Sequence, residues 1–126
     1  MIDVTCAIIR RKERMLAVLR SHGMDLAGHW EFPGGKIETG ETAEDCIARE
    51  ILEELNIRIR PVKQLIPVEH HYKDKAIRLI PFLCEITEWQ IQLTEHAAFQ
   101  WVSPDDIKTL NWAAADWKLI GVNGLG

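Results

Sequence analysis

Residues Gly35 to Ile57, GKIETGETAEDCIAREILEELNI, constrain this chain more than any other stretch, because a glycine-containing turn runs directly into an acid-rich amphipathic helix. Thr42 with Asp45 three residues on predicts a capping-box start, and Glu41, Glu44 and Asp45 stand where the helix dipole favours negative charge. Ala43, Ile47, Ala48, Ile51, Leu52 and Leu55 form an apolar stripe for the core. Asn56 predicts the end, since Asn tolerates the left-handed conformation that closes many helices. Residues three and four apart share a helix face, so Glu50, Glu53 and Glu54 form one strip of carboxylates. Like charges that close repel, and clustered hard oxygen ligands suit Mg²⁺ or Mn²⁺. Arg49, beside Glu50 and four residues before Glu53, is placed to orient one carboxylate. The alternative is a surface helix with solvated acids, but a helix already furnished with a core face does not need this strip for solubility.

Length and charge narrow the context. A chain of 126 residues with 47% hydrophobic content predicts one domain spanning 1–126. A net charge of −4 argues against a nucleic-acid polymer or membrane partner, which normally needs a clustered basic excess. A polyanionic small substrate would then rely on bound metal and a few local cations. Cys6, Cys46 and Cys84 lack CxxC spacing and are odd in number, which predicts buried free thiols rather than zinc or disulfides. With no basic-then-apolar leader and no apolar run near the ~20 residues that span a bilayer, the expected location is cytoplasmic. Monomer and homodimer both stay open.

Around the motif the pattern is one of strands. Val4 to Ile9 and Met15 to Leu19 read as a hairpin across a polar turn, with Arg20 at the second strand's end, either solvated or turned into a cleft. Residues 21–29 read as a loop. Val62 to Tyr72 and Ala76 to Ile86 read as a second hairpin, in which Pro81 predicts an edge or a bulge. His70 and His71 do not read as a metal pair, because neighbours on a strand face opposite ways. Ala97 to Val102 reads as a further strand. Ser103-Pro104 predicts a helix start, and Asn111 to Val122 a last helix packing Trp112, Trp117, Leu119 and Ile120.

The motif resembles the signature of the Nudix hydrolases: Gly, then Glu after five residues, then after seven more Arg-Glu, an aliphatic, any residue, Glu-Glu, any residue, Gly and a final aliphatic. Gly35, Glu41, Arg49, Glu50, Ile51, Glu53, Glu54 and Ile57 fill these positions; Asn56 replaces the late glycine at the helix end, a mild departure. The string WEFPGGKIE, Trp30 to Glu38, is similar to that of MutT-like nucleotide pyrophosphohydrolases of the 8-oxo-dGTP diphosphatase and CTP pyrophosphohydrolase type. The resemblance implies an α/β (α+β) fold, an α/β/α sandwich with a mixed sheet between helices.

It also implies site roles. Glu50, Glu53 and Glu54 would bind metal, with the Gly34 carbonyl as a backbone ligand. Glu53 or Glu95 would be the general base; Glu95 lies in TEHAAFQWVSPDD, which resembles the family's loop before a Trp strand, and Glu88 is its fallback. Gly35, Glu41 and Arg49 would organise turn and helix. Arg20 and Lys36 would meet phosphates, although a solvated lysine is as consistent with the sequence. Residues from Glu31 through Phe32, Pro33 and Gly34 would line a nucleoside pocket, with Asp116 at the base edge and Phe32 or Trp112 as stacking surface. The implied reaction converts a nucleoside triphosphate, oxidised or otherwise modified, to monophosphate and pyrophosphate in the manner of nucleotide-pool sanitising and DNA repair. Hydrolysis of dinucleoside polyphosphates or nucleotide sugars, a non-catalytic nucleotide-binding regulator, and a partner-docking acid strip are the alternatives.

Overall fold

The computed structural model describes residues 1–87 and 90–126. Its strands are β1 (Ile2–Arg11), β2 (Arg14–Leu19), β3 (Trp30–Glu31), β4 (Gly34–Lys36), β5 (Ile59–Gln64), β6 (Val68–Tyr72), β7 (Lys75–Ile86) and β8 (Ala98–Val102). The helices are α1 (Ala43–Leu55) and α2 (Ala114–Asn123), with a short 3-10 turn at Ile107–Thr109. Among the described residues, no helix is long and apolar enough to cross a membrane.

β1 and β2 join through Lys12 and Glu13, both at positive φ, the conformation of a tight primed turn. The hairpin pairs only near this tip, Arg10 with Met15 and Arg11 with Arg14. Beyond it the strands splay. β7 runs parallel along β1 from Ile2 to Arg10, and β8 runs antiparallel along β2 from Met15 to Leu19, so each strand has one edge fully taken. β3 on β2 and β4 on β1 must therefore occupy the facing edges, and residues 30–36 wedge into the opened hairpin. The Ala7 amide donates to the Pro33 carbonyl at 2.8 Å within that wedge.

Alternation along β1 and β2 divides the core. Cys6, Ile8, Met15 and Ala17 face Ala115, Leu119 and Ile120 of α2. Ala7, Ile9, Leu16 and Val18 face Ile47, Ile51 and Leu55 of α1. Burying each large aliphatic contributes about 1.5–3 kcal/mol, so the sheet is clamped between helices on both faces. The expected sandwich is the one found.

α1 begins and ends where the sequence predicts. Thr42 Oγ1 accepts from the Asp45 amide at 3.1 Å, and Asn56 closes the helix at φ 55° with its amide donating to the Leu52 carbonyl. Its buried face differs from the predicted stripe: Leu52 is exposed, while Cys46 and Glu54 are buried. The three cysteines are free and buried.

Two predicted elements change form. The long run before the second turn is two strands, β5 and β6, which pair successive halves of β7: Ile59–Gln64 against Phe82–Ile86 and Val68–Tyr72 against Lys75–Leu79. Pro81 is therefore in a central strand rather than at an edge; it sits between these two ladders, where a missing amide costs least, and its carbonyl accepts from Leu65 at 2.9 Å. Ser103 starts no helix: its Oγ accepts from the Asp106 amide at 3.3 Å in a turn ahead of the 3-10 segment, and α2 starts at Ala114 because residues 111–113 are drawn into backbone pairing with Trp30.

Candidate active site

The wedge and α1 build one wall of a cavity of about 540 Å³. Gly34, Gly35, Glu50 and Glu54 line it, joined by Arg20, Glu31, Phe32, Glu95 and Asp116. The glycines are demanded by close approach. A Cβ on Gly34 would strike the Thr5 carbonyl oxygen, and one on Gly35 would overlap the Glu50 carboxylate. The Thr5 hydroxyl donates to the Gly35 carbonyl at 3.0 Å and holds that turn.

Arg49 is the hub of the acidic strip. Its Nε and Nη2 grip the two Glu41 oxygens at 2.7 and 2.9 Å, and Nη1 reaches Glu50 Oε1 at 2.8 Å and Glu53 Oε2 at 3.3 Å. The guanidinium also donates to the Lys36 carbonyl at 3.3 Å, tying turn to helix. These bonds hold the Glu41 carboxyl down at about 2 and push the arginine further up. Glu50 moves the other way, raised by partial burial despite Arg49. Glu54 is buried and accepts from the Gly34 amide at 3.1 Å. Burial first, then the charges of Glu31, Glu50 and Glu95, pushes its carboxyl up to about 9.

A divalent cation would offset this concentration of carboxylate charge. Glu50, Glu54 and Glu95 share the cavity, and hard oxygen donors of this kind match a divalent cation such as Mg²⁺. Among the described residues, no three His, Cys, Asp or Glu side chains are already gathered as a cage. Glu50 and Glu53 turn to Arg49 instead, and the Glu53 side chain is 58% exposed outside the cavity lining.

At Asp116, in the first turn of α2, Oδ2 accepts from the Phe32 amide at 2.9 Å. Burial, then the Glu31 charge, pushes this carboxyl up to about 8. Phe32 packs on Trp112 with ring centroids 4.8 Å apart; Phe32 lines the cavity, and Trp112 backs it, its indole N–H donating to the Ile107 carbonyl at 2.7 Å.

Of the residues singled out from the sequence, Arg20, Glu31, Phe32, Gly34, Gly35, Glu50, Glu54, Glu95 and Asp116 meet in one cavity. Lys36 and Pro33 do not line it: the side chain of Lys36 is exposed, and Pro33 is buried with its carbonyl committed to Ala7. Glu88 lies outside the described residues. Sequence reasoning missed Thr5, His70, Tyr72, Lys75 and His96. His70 and Tyr72, two apart on β6, share a face with rings 5.6 Å apart, and that alternation was a signal available for the cavity wall. The Glu31 carboxylate is held by Arg20 Nη1 at 2.9 Å and His96 Nε2 at 2.8 Å, contacts between segments that no local pattern joins.

A mixed sheet between helices, with a glutamate-bearing helix opening on a glycine turn, defines a scaffold for phosphoanhydride hydrolysis. The family model described as "NUDIX domain" matches residues 1–120, and the chain belongs to that family of hydrolases, whose members generally need a divalent metal. An 8-oxo-dGTP diphosphatase of Proteus vulgaris is 44% identical over 77 residues, 61% of this chain and 64% of that one. A CTP pyrophosphohydrolase of Escherichia coli K12 is 32% identical over 120 residues, covering 95% of this chain and 89% of that protein. The crystal structure of a MutT protein from Methanosarcina mazei Go1 superposes with a TM-score of 0.87 at 27% identity, covering 95% and 90% of the two chains.

Proposed function

We propose that this protein is a divalent-metal-dependent nucleoside triphosphate pyrophosphohydrolase that cleaves ordinary or modified nucleotides to monophosphate and pyrophosphate, of the nucleotide-pool sanitising kind. One observation carries the reading: the Glu50 and Glu54 carboxylates and the Phe32–Asp116 pair share a single cavity, so one ligand can meet an acidic phosphate-processing wall and an aromatic wall with a hydrogen-bonding carboxyl. The names of the two relatives above support a nucleoside triphosphate as that ligand.

Glu50, Glu53, Glu54 and the Gly34 carbonyl would hold Mg²⁺, with Mn²⁺ as the substitute and Glu95 completing the set. Such a cation neutralises phosphoryl oxygens and makes bound water acidic. Arg49 and Glu41 keep the strip aligned, so the carboxylates are placed before substrate arrives. Glu53, exposed and lightly held, or Glu95 in the cavity, takes the proton from the attacking water. Arg20 meets the substrate from the end of β2. Asp116, protonated below about pH 8, presents an O–H to a nucleobase edge, and Phe32 gives the ring a surface.

The test is release of pyrophosphate against orthophosphate from a panel of ordinary and oxidised nucleoside triphosphates, with Mg²⁺, Mn²⁺ or chelator. Metal-dependent pyrophosphate from an oxidised purine or a cytidine nucleotide supports the reading and selects the base. No release from any nucleoside triphosphate overturns it.

A further inference from the structure

His96 is buried between Glu95 and the start of β8, with its side chain 1% exposed. Its Nε2 faces Glu31 Oε2 at 2.8 Å; a carboxylate only accepts, so Nε2 carries the proton and donates. Among the described residues, its buried Nδ1 has no hydrogen-bond partner. An apolar side chain would fill this space without that cost, so the imidazole is explained by its grip on Glu31 rather than by packing.

Glu31 passes the grip on. Its other oxygen accepts from Arg20 Nη1 at 2.9 Å, and Arg20 Nε donates to the Asp25 carbonyl. The Arg20 backbone adds two bonds to the same loop, from its amide to the His29 carbonyl at 2.9 Å and from the Gly28 amide to its carbonyl at 3.1 Å. This loop holds Leu26 at φ 58°, an unfavourable conformation for leucine that persists only where neighbours enforce it. Met24, Asp25, Leu26 and His29 line the cavity.

We propose that His96 is a positioning residue: the strap His96–Glu31–Arg20–Asp25 fixes the loop of residues 21–29 against the cavity and so sets how tightly a nucleotide is held. His96 acts through Glu31 and Arg20, not on the reacting atoms. The kinetic part of this inference rests on the nucleotide reading above; the structural part does not.

The experiment therefore has two readouts. Amide hydrogen exchange of ligand-free protein should be about tenfold or more faster across residues 21–29 in His96→Ala, with the β1–β7 ladder unchanged, and His96→Gln, whose amide can still donate, should recover much of the protection. With a nucleotide that the native protein hydrolyses, His96→Ala should raise KM about tenfold while kcat stays within about twofold. Unchanged exchange in residues 21–29 overturns the strap, and a fall in kcat at constant KM overturns it by moving the role to Glu95. If His96→Ala does not fold, Glu31→Gln reads the same loop, with fast exchange supporting the strap and native exchange overturning it. If the native protein hydrolyses no nucleotide, the proposed function fails while the exchange measurement still decides the strap.

Discussion

The Asp116 carboxylate accepts the Phe32 amide at 2.9 Å and so joins α2 to the wedge across 84 residues of sequence. The carboxyl is raised from 3.8 to about 8, chiefly by burial. Between those values the folded protein keeps a proton that the unfolded chain has released, so this group makes stability fall as pH rises across that window. Asp116→Asn keeps an oxygen for the Phe32 amide and cannot titrate. Glu54, raised through the same window, keeps part of that fall, so urea midpoints at about pH 5 and pH 8 should lie closer together in the variant than in the native protein. Equal differences in both proteins would show that Asp116 is ionised in the fold.

The adjacent glycines should fail in different ways. A Cβ at Gly34 meets the backbone of Thr5 and Cys6, which cannot yield without opening the β1–β4 pairing. Gly34→Ala should cost about 2–3 kcal/mol or more in denaturant unfolding. At Gly35 the obstacle is the Glu50 carboxylate, the far end of a side chain that can swing away. Gly35→Ala should fold with a smaller loss, but displace Glu50 from Arg49 and lower turnover by about tenfold or more. A fully active, stable Gly34→Ala protein would contradict this placement of the wedge.

What could be read in advance was what local chemistry determines. Thr42 and Asn56 marked α1 because capping depends on the residues at the ends, and Lys12-Glu13 lay in a stretch polar enough to read as a turn. The acidic strip was legible as spacing, but not as geometry. Glu54 is buried and Glu53 exposed because the wedge covers one side of the helix, and nothing within residues 43–55 announces it. The division of β5 from β6 is imposed by β7, which each pairs in turn. His96 and Glu31 are 65 residues apart, and a single polar residue near a strand carries no signal of its distant partner.

Arg49 is not replaceable by lysine. Its fork engages both Glu41 oxygens while the third nitrogen serves Glu50 and Glu53, and an ammonium cannot span these directions. Arg49→Lys should lower stability by about 1–2 kcal/mol at neutral pH, the scale of charged hydrogen bonds lost at a half-buried position. Thermal unfolding checks it. A Tm within a degree or so of native would mean that the network is screened by solvent.

Glu54→Gln and Glu53→Gln separate metal binding from folding. Glu54 is buried among like charges, and a glutamine there keeps an oxygen for the Gly34 amide while removing the repulsion, so the metal-free variant should be as stable as the native protein or more so. The native protein should gain stability with added Mg²⁺, by about 2.7 kcal/mol at a hundredfold excess over Kd, and Glu54→Gln should lose most of that gain. Glu53 is exposed, so Glu53→Gln should fold natively in the absence of metal, yet lose at least about a hundredfold in Mg²⁺-dependent turnover. Calorimetry across a Mg²⁺ titration gives the first result and pyrophosphate release the second. A native Mg²⁺ response in Glu54→Gln would take that residue out of the metal site, and full activity in Glu53→Gln would leave Glu95 as the base.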